Sequence, residues 1–468
     1  MASPSAPASA SEGLARLLAP LLCGPVEIDG LTRLSGGASR ETWAFTARAP
    51  GHEPRELILR RDPAGRPGPP GSMAREAHAM RAAGAAGLPV PEVLADDDGT
   101  ELGTAGLVMS RVPGETIARR ILRDDEFAPG RRVLAAELGA FLAGLHAVDP
   151  AEVPGLAESD PLAQYWDAYL AVDDVSPTFE AAQRWLLSNR PEPAGRVVVH
   201  GDLRLGNVIV GPEGLRAAID WELVHLGDPM EDLGWLCVKA WRFGAPLPVA
   251  GVGTVDQLLG AYERVSGRAV DRAAFHWWLV QKTLTWGIMC MGQAVVHLTG
   301  ALRSVELAAI GRRVAEQEWD LLELLAPEAW EAARTEAAAE VGAGDESPGG
   351  EAADGPGLYG RPTAAELVEA VGEFLSGPVM DATEGHVRFH ARVAANVAGI
   401  VGRQLELGPV HEARYRAGLA ALGAPSTPAL CAAIRAGDHD ADPDALHDFL
   451  ATSVRDRLTV ANPRHLTR

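Results

Sequence analysis

The sequence predicts an α+β chain with three parts: a small β-rich lobe, a larger and mostly helical lobe, and a small all-α domain at the end. Three observations carry that expectation. Strand-like apolar runs cluster before residue 112. Helical periodicity then dominates from about Ala118 to Thr335, broken by one hairpin. A stretch without apolar periodicity, Glu336 to Gly360, separates this from a second helical region. The 468 residues fit two or three domains at roughly 150 residues each.

Taken in order, residues 1–24 read as a disordered or helical start, because the first residues lack the basic region and apolar core of a signal peptide. Residues 25–112 form the small lobe. In it, a glycine pair lies between two strand-like pieces, Glu56–Arg60 is a short strand, and Pro63–Gly71 is a loop. Ser72–Ala86 has helical charge spacing, and Leu107–Val112 is a further strand stopped by Pro113-Gly114. Residues 113–335 form the helical lobe. Its hairpin is predicted from Arg196–Val199, Val208–Val210, a turn at Pro212-Glu213-Gly214, and Leu215–Ile219. Residues 336–360, rich in Glu, Ala, Gly, Ser and Pro, read as a disordered linker. Residues 361–468 read as a helical accessory domain.

Composition narrows the function classes. At 47% apolar residues the chain can bury a large core, and a net charge of −21 argues against nucleic acid or an anionic membrane as the main partner. The apolar stretch Ala273–Leu298 carries His276, Gln281, Lys282, Gln293 and His297, so it reads as buried helix and not as a membrane span. Four cysteines without a CxxC pair argue for a reducing, cytoplasmic setting. Lysine occurs only at Lys239 and Lys282, so no lysine before residue 239 can serve catalysis.

The chemistry concentrates in His200-Gly201-Asp202-Leu203-Arg204-Leu205-Gly206-Asn207 and in Ile219-Asp220-Trp221-Glu222. Phosphoryl transfer needs carboxylates for magnesium, a group that orients the attacking hydroxyl, and donors over the phosphates. Asp202 and Asn207 have the Asp-x4-Asn spacing of a kinase loop, and the predicted hairpin returns Asp220 to the same rim. Asp202 would accept a hydrogen bond from the substrate hydroxyl, while Asn207 and Asp220 would hold Mg2+ against the nucleotide. His200 reads as a loop-ordering residue. Arg204 could meet the phosphate or the substrate, Glu222 could orient Asp220, and Asp228 reads as a helix cap that holds the loop.

These motifs resemble the aminoglycoside phosphotransferase / choline kinase-like family. The longer string Ile219-Asp220-Trp221-Glu222-Leu223-Val224-His225-Leu226-Gly227-Asp228-Pro229 is similar to the branch that includes the kinase-like domain fused to some vertebrate acyl-CoA dehydrogenases. The resemblance covers roughly residues 25 to 330. It implies a protein-kinase-like bilobal fold, ATP and Mg2+ as cofactors, and transfer of the γ-phosphate to a hydroxyl of a small molecule. The branch suggests a hydroxyacyl-CoA-like acceptor, with an aminoglycoside or amino alcohol as the alternative. The region after the linker resembles an uncharacterised helical domain that follows such kinases in bacteria.

The resemblance also assigns the nucleotide lobe. Ser35, Gly36 and Gly37 would form the phosphate loop. Arg60 would take the place of the usual strand lysine, with Arg61 solvated. Glu76 would pair with Arg60 from the helix, and the backbone at Ser110 and Val112 would meet adenine. Arginine is bulkier than lysine and bidentate, so this is a departure from the family pattern. It leaves a rival reading of another class, a non-catalytic nucleotide-binding scaffold. The terminal domain is expected to pack near the acceptor cleft or to support a homodimer. His386 and His390 within it read as an ordinary helix face.

Overall fold

The computed structural model describes residues 6–34, 40–158, 160–172, 174–342 and 362–467. The chain divides into two compact units, one of Met1–Asp160 with Pro191–Leu279 and one of Pro161–Arg190 with Val280–Arg468.

The first unit begins with α1 (Ala6–Leu18). The start is helical from Ala6 because Leu14, Leu18 and Leu22 recur at helical spacing and bury in the same core as the strand residues Leu57 and Leu59. Five antiparallel strands follow: β1 (Glu27–Arg33), β2 (Glu41–Arg48), β3 (Arg55–Arg61), β4 (Val93–Asp97) and β5 (Gly106–Ser110), in the order β1-β2-β3-β5-β4. β4 is absent from the sequence-based expectation because its acidic end, Asp96-Asp97, masks a strand signal. Alternation in β3 holds as expected. Leu57 and Leu59 are fully buried on one face, which leaves Ile58 and Arg60 on the other. Arg61 is not solvated; its Nε donates to Glu41 Oε2 at 3.0 Å and its guanidinium lies over Trp43. α2 (Ser72–Ala85) packs on β4 and β5 and buries Met73, Glu76, Ala77 and Met80.

The helical part contains α3 (Ala118–Arg123) and α4 (Ala128–Leu145). Two helices of the second unit, α5 (Pro161–Leu170) and α6 (Pro177–Ser188), come next in sequence. The inserted hairpin is β7 (Val208–Gly211) with β8 (Gly214–Ala218), as the turn residues predicted. A second pair, β6 (Val197–Val199) with β9 (His225–Gly227), brackets it. α7 (Met230–Trp235) and α8 (Val255–Ser266) follow, then the first part of α9 (Arg272–Leu298). α4 and α8 pack so closely that a Cβ at Gly139 would sit 2.2 Å from the Leu258 carbonyl oxygen, so this crossing requires glycine.

The second unit combines α5, α6 and the rest of α9 with α10 (Val305–Gly311), α11 (Val314–Leu325), α12 (Pro327–Gly342), α13 (Ala364–Phe374), α14 (Gly385–Ala421), α15 (Thr427–Ala436) and α16 (Asp444–Ala461). One apolar core runs through it, with Trp319, Leu322, Leu430, Leu450 and Leu458 among its members. This core unites segments that the sequence assigned to residues 113–335 and 361–468. α12 also continues past residue 335 to Gly342, because Ala333 and Ala337 bury in that core. Residues 343–360 of the expected linker lie outside the described residues. Among the described residues no helix is long and apolar enough to cross a membrane.

Candidate active site

The loop between β6 and β7 carries His200, Asp202, Arg204 and Asn207. Its bend needs Gly201, which has φ 81°; a Cβ there would lie 2.6 Å from the Leu223 carbonyl oxygen. The loop hangs from Asp232 of α7. Asp232 Oδ2 accepts from His200 N at 2.8 Å, and Oδ1 accepts from Gly201 N at 2.9 Å. Asp232 is fully buried, and its Oδ2 also lies 3.2 Å from His146 Nε2. His146 Nδ1 in turn meets the Tyr262 hydroxyl at 3.1 Å. Burial alone would raise the Asp232 pKa, but His146 and the Gly201 amide override it and bring the carboxyl down to about 2. The network therefore keeps a charged anchor under the loop.

Asp202 is oriented through both carboxylate oxygens. Oδ1 accepts from Trp235 Nε1 at 2.9 Å and Arg204 Nε at 3.1 Å, and Oδ2 accepts from Asn207 Nδ2 at 2.6 Å. Burial pushes its pKa up to about 6, against the opposing pull of Arg204. A carboxylate near that value is matched to hydrogen-bonding a hydroxyl and taking its proton near neutral pH.

Asn207 Nδ2 also donates to the Asp202 carbonyl at 2.8 Å. Asp220, directly after β8, has φ 67°, a left-handed conformation that is costly for a residue with a side chain and recurs at functional sites. Ile219 N donates to Asn207 O at 2.9 Å, which ties the Asp220 and Asn207 segments together. One carboxylate and one amide oxygen on neighbouring backbone form a donor set that suits a hard, oxygen-seeking cation such as Mg2+.

His200 braces the same junction. Its Nδ1 accepts from Asp202 N at 3.3 Å, so its Nε2 carries the proton and meets Ile219 O at 3.2 Å. Full burial lowers its pKa, which keeps it neutral. Both nitrogens are engaged with backbone, so His200 holds the loop and is not placed to act as a base.

Arg60 projects from β3 toward Asp220. Its Nη2 lies 2.5 Å from Asp220 Oδ1 and 3.3 Å from Glu222 Oε2, and its Nη1 lies 3.5 Å from Glu76 Oε2. Burial disfavours its charge, but Asp220, Glu76 and Glu222 outweigh this and raise its pKa. Glu76 has a second partner that sequence reasoning missed. Arg40, at the start of β2, is buried and pairs with Glu76 Oε1, while its Nη2 donates to Ser72 Oγ at 3.1 Å and its Nε lies 3.4 Å from Asp62. Burial raises the Glu76 pKa against the pull of both arginines. Ser35, Gly36 and Gly37 lie outside the described residues. The Ser110 amide is already used, donating to Glu92 O at 2.8 Å, and its hydroxyl accepts from Glu92 N at 2.9 Å. Val112 follows the end of β5, in chain without regular structure.

Arg204 stacks over the Trp241 ring, with its guanidinium carbon 5.0 Å from the ring centroid. Asp228 caps α7 through Met230 N at 2.8 Å and holds the chain ahead of β6 through Ala194 N at 2.7 Å. The loop that carries Asp202 depends instead on Asp232. Asp232, His146, Tyr262 and Trp235 had no spacing signal linking them to the loop, because they meet only in space. Arg40 was visible as the arginine that follows the glycine loop.

Residues 30–278, more than half of the chain, match the family described as phosphotransferase enzyme family, APH. Residues 381–465 match a domain of unknown function, DUF6285. Among curated relatives, mouse acyl-CoA dehydrogenase family member 10 is 30% identical over 44% of this chain and 21% of its own length. Chicken acyl-CoA dehydrogenase family member 11 is 31% identical over 41% of this chain and 26% of its own length. The chain thus spans about a quarter of those relatives. Viomycin phosphotransferase of Streptomyces vinaceus is 30% identical over 27% of this chain and 47% of its own. A solved structure of a candidate aminoglycoside phosphotransferase from Ralstonia eutropha superposes with a TM-score of 0.53 at 22% identity, covering 67% of this chain and 98% of that one. That likeness establishes a shared protein-kinase-like fold. The stretch that folds this way and carries the loop, the Asp220 turn and the Arg60–Glu76 pair is the stretch the family spans, and the chain belongs to the phosphotransferase enzyme family.

Proposed function

We propose that the protein is an ATP- and Mg2+-dependent kinase that phosphorylates a hydroxyl of a small molecule. The observation that carries this reading is Asp202. It is held by Trp235, Arg204 and Asn207 on a loop anchored to Asp232, with Asp220 tied in beside it. Asp202 orients the acceptor hydroxyl and takes its proton as the new P–O bond forms and the bond from the γ-phosphorus to the departing ADP breaks. Asn207 and Asp220 would hold Mg2+, which supplies charge neutralisation on the phosphate oxygens. Arg60, fixed by Glu76, would reach the phosphates in place of a lysine, and the Ser35-Gly36-Gly37 loop would cover them. Of the strand end expected to meet adenine, the Val112 amide is the donor, since the Ser110 amide is engaged with Glu92.

For the acceptor, a hydroxyacyl thioester such as a hydroxyacyl-CoA is favoured. The matched relatives include acyl-CoA dehydrogenase family members. Arg204, stacked on Trp241 beside Asp202, also supplies a cation suited to an anionic acceptor. An aminoglycoside or amino alcohol is the second reading, supported by the match to viomycin phosphotransferase. All four cysteines are free and three are buried, which supports a reducing, cytoplasmic compartment.

The test is phosphate transfer from γ-labelled ATP to a panel of hydroxyacyl-CoAs, amino alcohols and aminoglycosides, with and without Mg2+. Asp202→Asn should lower kcat on the productive acceptor by about 100-fold or more. Nucleotide binding without transfer to any member of the panel would favour the scaffold reading. Unchanged transfer by Asp202→Asn would refute the assigned base.

A further inference from the structure

The second unit holds a set of buried carboxylates that the phosphotransferase chemistry does not use. Glu180 on α6 is 1% exposed, and on α11 Glu318 is 0%, Asp320 3% and Glu316 6% exposed. Two neutral donors reach them from other segments of the unit: Ser176 Oγ, at the cap of α6, donates to Glu318 Oε1 at 2.6 Å, and Tyr169 OH on α5 donates to Glu180 Oε1 at 3.3 Å. Arg313 lies 3.0 Å from Glu316 and also interacts electrostatically with Asp320.

Further partners come from the end of the chain. Arg435 of α15 grips Glu180 with two bonds, at 2.5 and 3.0 Å. Arg457 of α16 lies 2.6 Å from Glu318. Beyond α16, His465 meets Asp320 at 2.8 Å and Asn462 donates to Glu316 at 2.9 Å. The same helices complete the apolar core, in which Leu450, Val454 and Leu458 cluster with Trp319 and Leu322. Glu180 and α6 lie inside the stretch that matches the phosphotransferase family, whereas Arg435, Arg457 and Asn462 lie inside the domain of unknown function.

A buried carboxylate stripped of its cation is strongly destabilising, because desolvation is no longer offset. We propose that the terminal segment, residues 362–467, is an integral half of this helical unit and not an accessory module. The function we infer for it is to supply the cations and the apolar face that let α6 and α11 fold. The acidic face of α6 and α11 is accordingly an interaction surface whose partner is a helix pair carrying arginines at the positions of Arg435 and Arg457, whether on the same chain or severed from it.

Two experiments on the full-length protein decide this. In the first, a protease site is placed between residues 342 and 362 and cut after purification. The two pieces should co-elute on gel filtration and unfold in one transition; separation under native conditions would overturn the proposal. In the second, Arg435→Glu should lower the melting midpoint by about 5 °C or more, and adding Glu180→Arg should recover at least half of the loss. If Arg435→Glu is insoluble, Arg435→Gln replaces it, with an expected loss of about 3 °C. A midpoint within about 1 °C of wild type for the soluble single variant would mean that Glu180 does not depend on the terminal segment, and the proposal fails.

Discussion

Asp202 makes opposite demands on activity and stability. Its pKa of about 6 exceeds the ordinary 3.8, so folding favours the protonated form. The cost of the ionised carboxylate therefore develops as pH rises from about 4 through 6 and is fully present above that range. Asp202→Asn should accordingly stabilise the protein by roughly 1–3 kcal/mol at about pH 8 and by almost nothing at about pH 4, measured by urea unfolding. Activity runs the other way. With Asp202 in its proposed role as base, kcat/KM should fall about tenfold per unit as pH drops below about 6, because the carboxylate is then protonated. The two arginines on Glu76 separate in a similar way. Arg40 is buried and also meets Asp62 and Ser72, whereas Arg60 faces Asp220 and Glu222. Arg40→Ala should cost about 3–5 kcal/mol of stability. Arg60→Lys should leave most of the stability but raise KM for ATP about tenfold or more, since one ammonium cannot bridge three carboxylates as a guanidinium does. Urea melts and ATP titrations of both variants check this.

At the scale of elements, the short helix α7 does more than its length suggests. It carries Trp235, which bonds Asp202, and Asp232, which holds two amides of the loop that carries Asp202. Asp228 lies just before it and only joins chain segments. Asp232→Ala should therefore cost about 3–5 kcal/mol and abolish transfer, because two backbone amides and His146 lose a buried anion. Asp228→Ala should cost about 1–2 kcal/mol and leave kcat within a few-fold. Thermal melts and initial rates of the two variants distinguish the roles. The acidic side also has a limit: Asp232, with a pKa of about 2, contributes stability above its ordinary 3.8 that is lost as pH falls toward 2.

For the whole molecule, the governing quantity is charge. With 63 acidic residues against 42 basic ones, the net charge is −21 and the surface repels itself. Many surface ion pairs are exposed and contribute little, such as Arg48–Asp29 and Arg272–Asp256. Raising salt from about 0.05 M to about 0.5 M should therefore raise the melting midpoint, since screening relieves net repulsion and barely touches buried pairs such as Arg40–Glu76. A falling midpoint, followed by differential scanning calorimetry, would mean that attractive surface pairs outweigh the repulsion.

Local order in the chain was enough to mark the His200–Asn207 loop as a candidate, the hairpin β7–β8, the Arg60 face of β3 and the glutamate on α2. Each rests on spacing within a few residues, and spacing within a strand, turn or helix is read directly from sequence. β4 and β9 escaped because their residues are too polar or too few to show a strand pattern. Asp232 beneath His200, Arg40 on Glu76, and Arg435 on Glu180 were settled only by tertiary structure. They join residues 32, 36 and 255 positions apart. Nothing in the local sequence distinguishes such a residue from a solvated charge until folding removes the water around it.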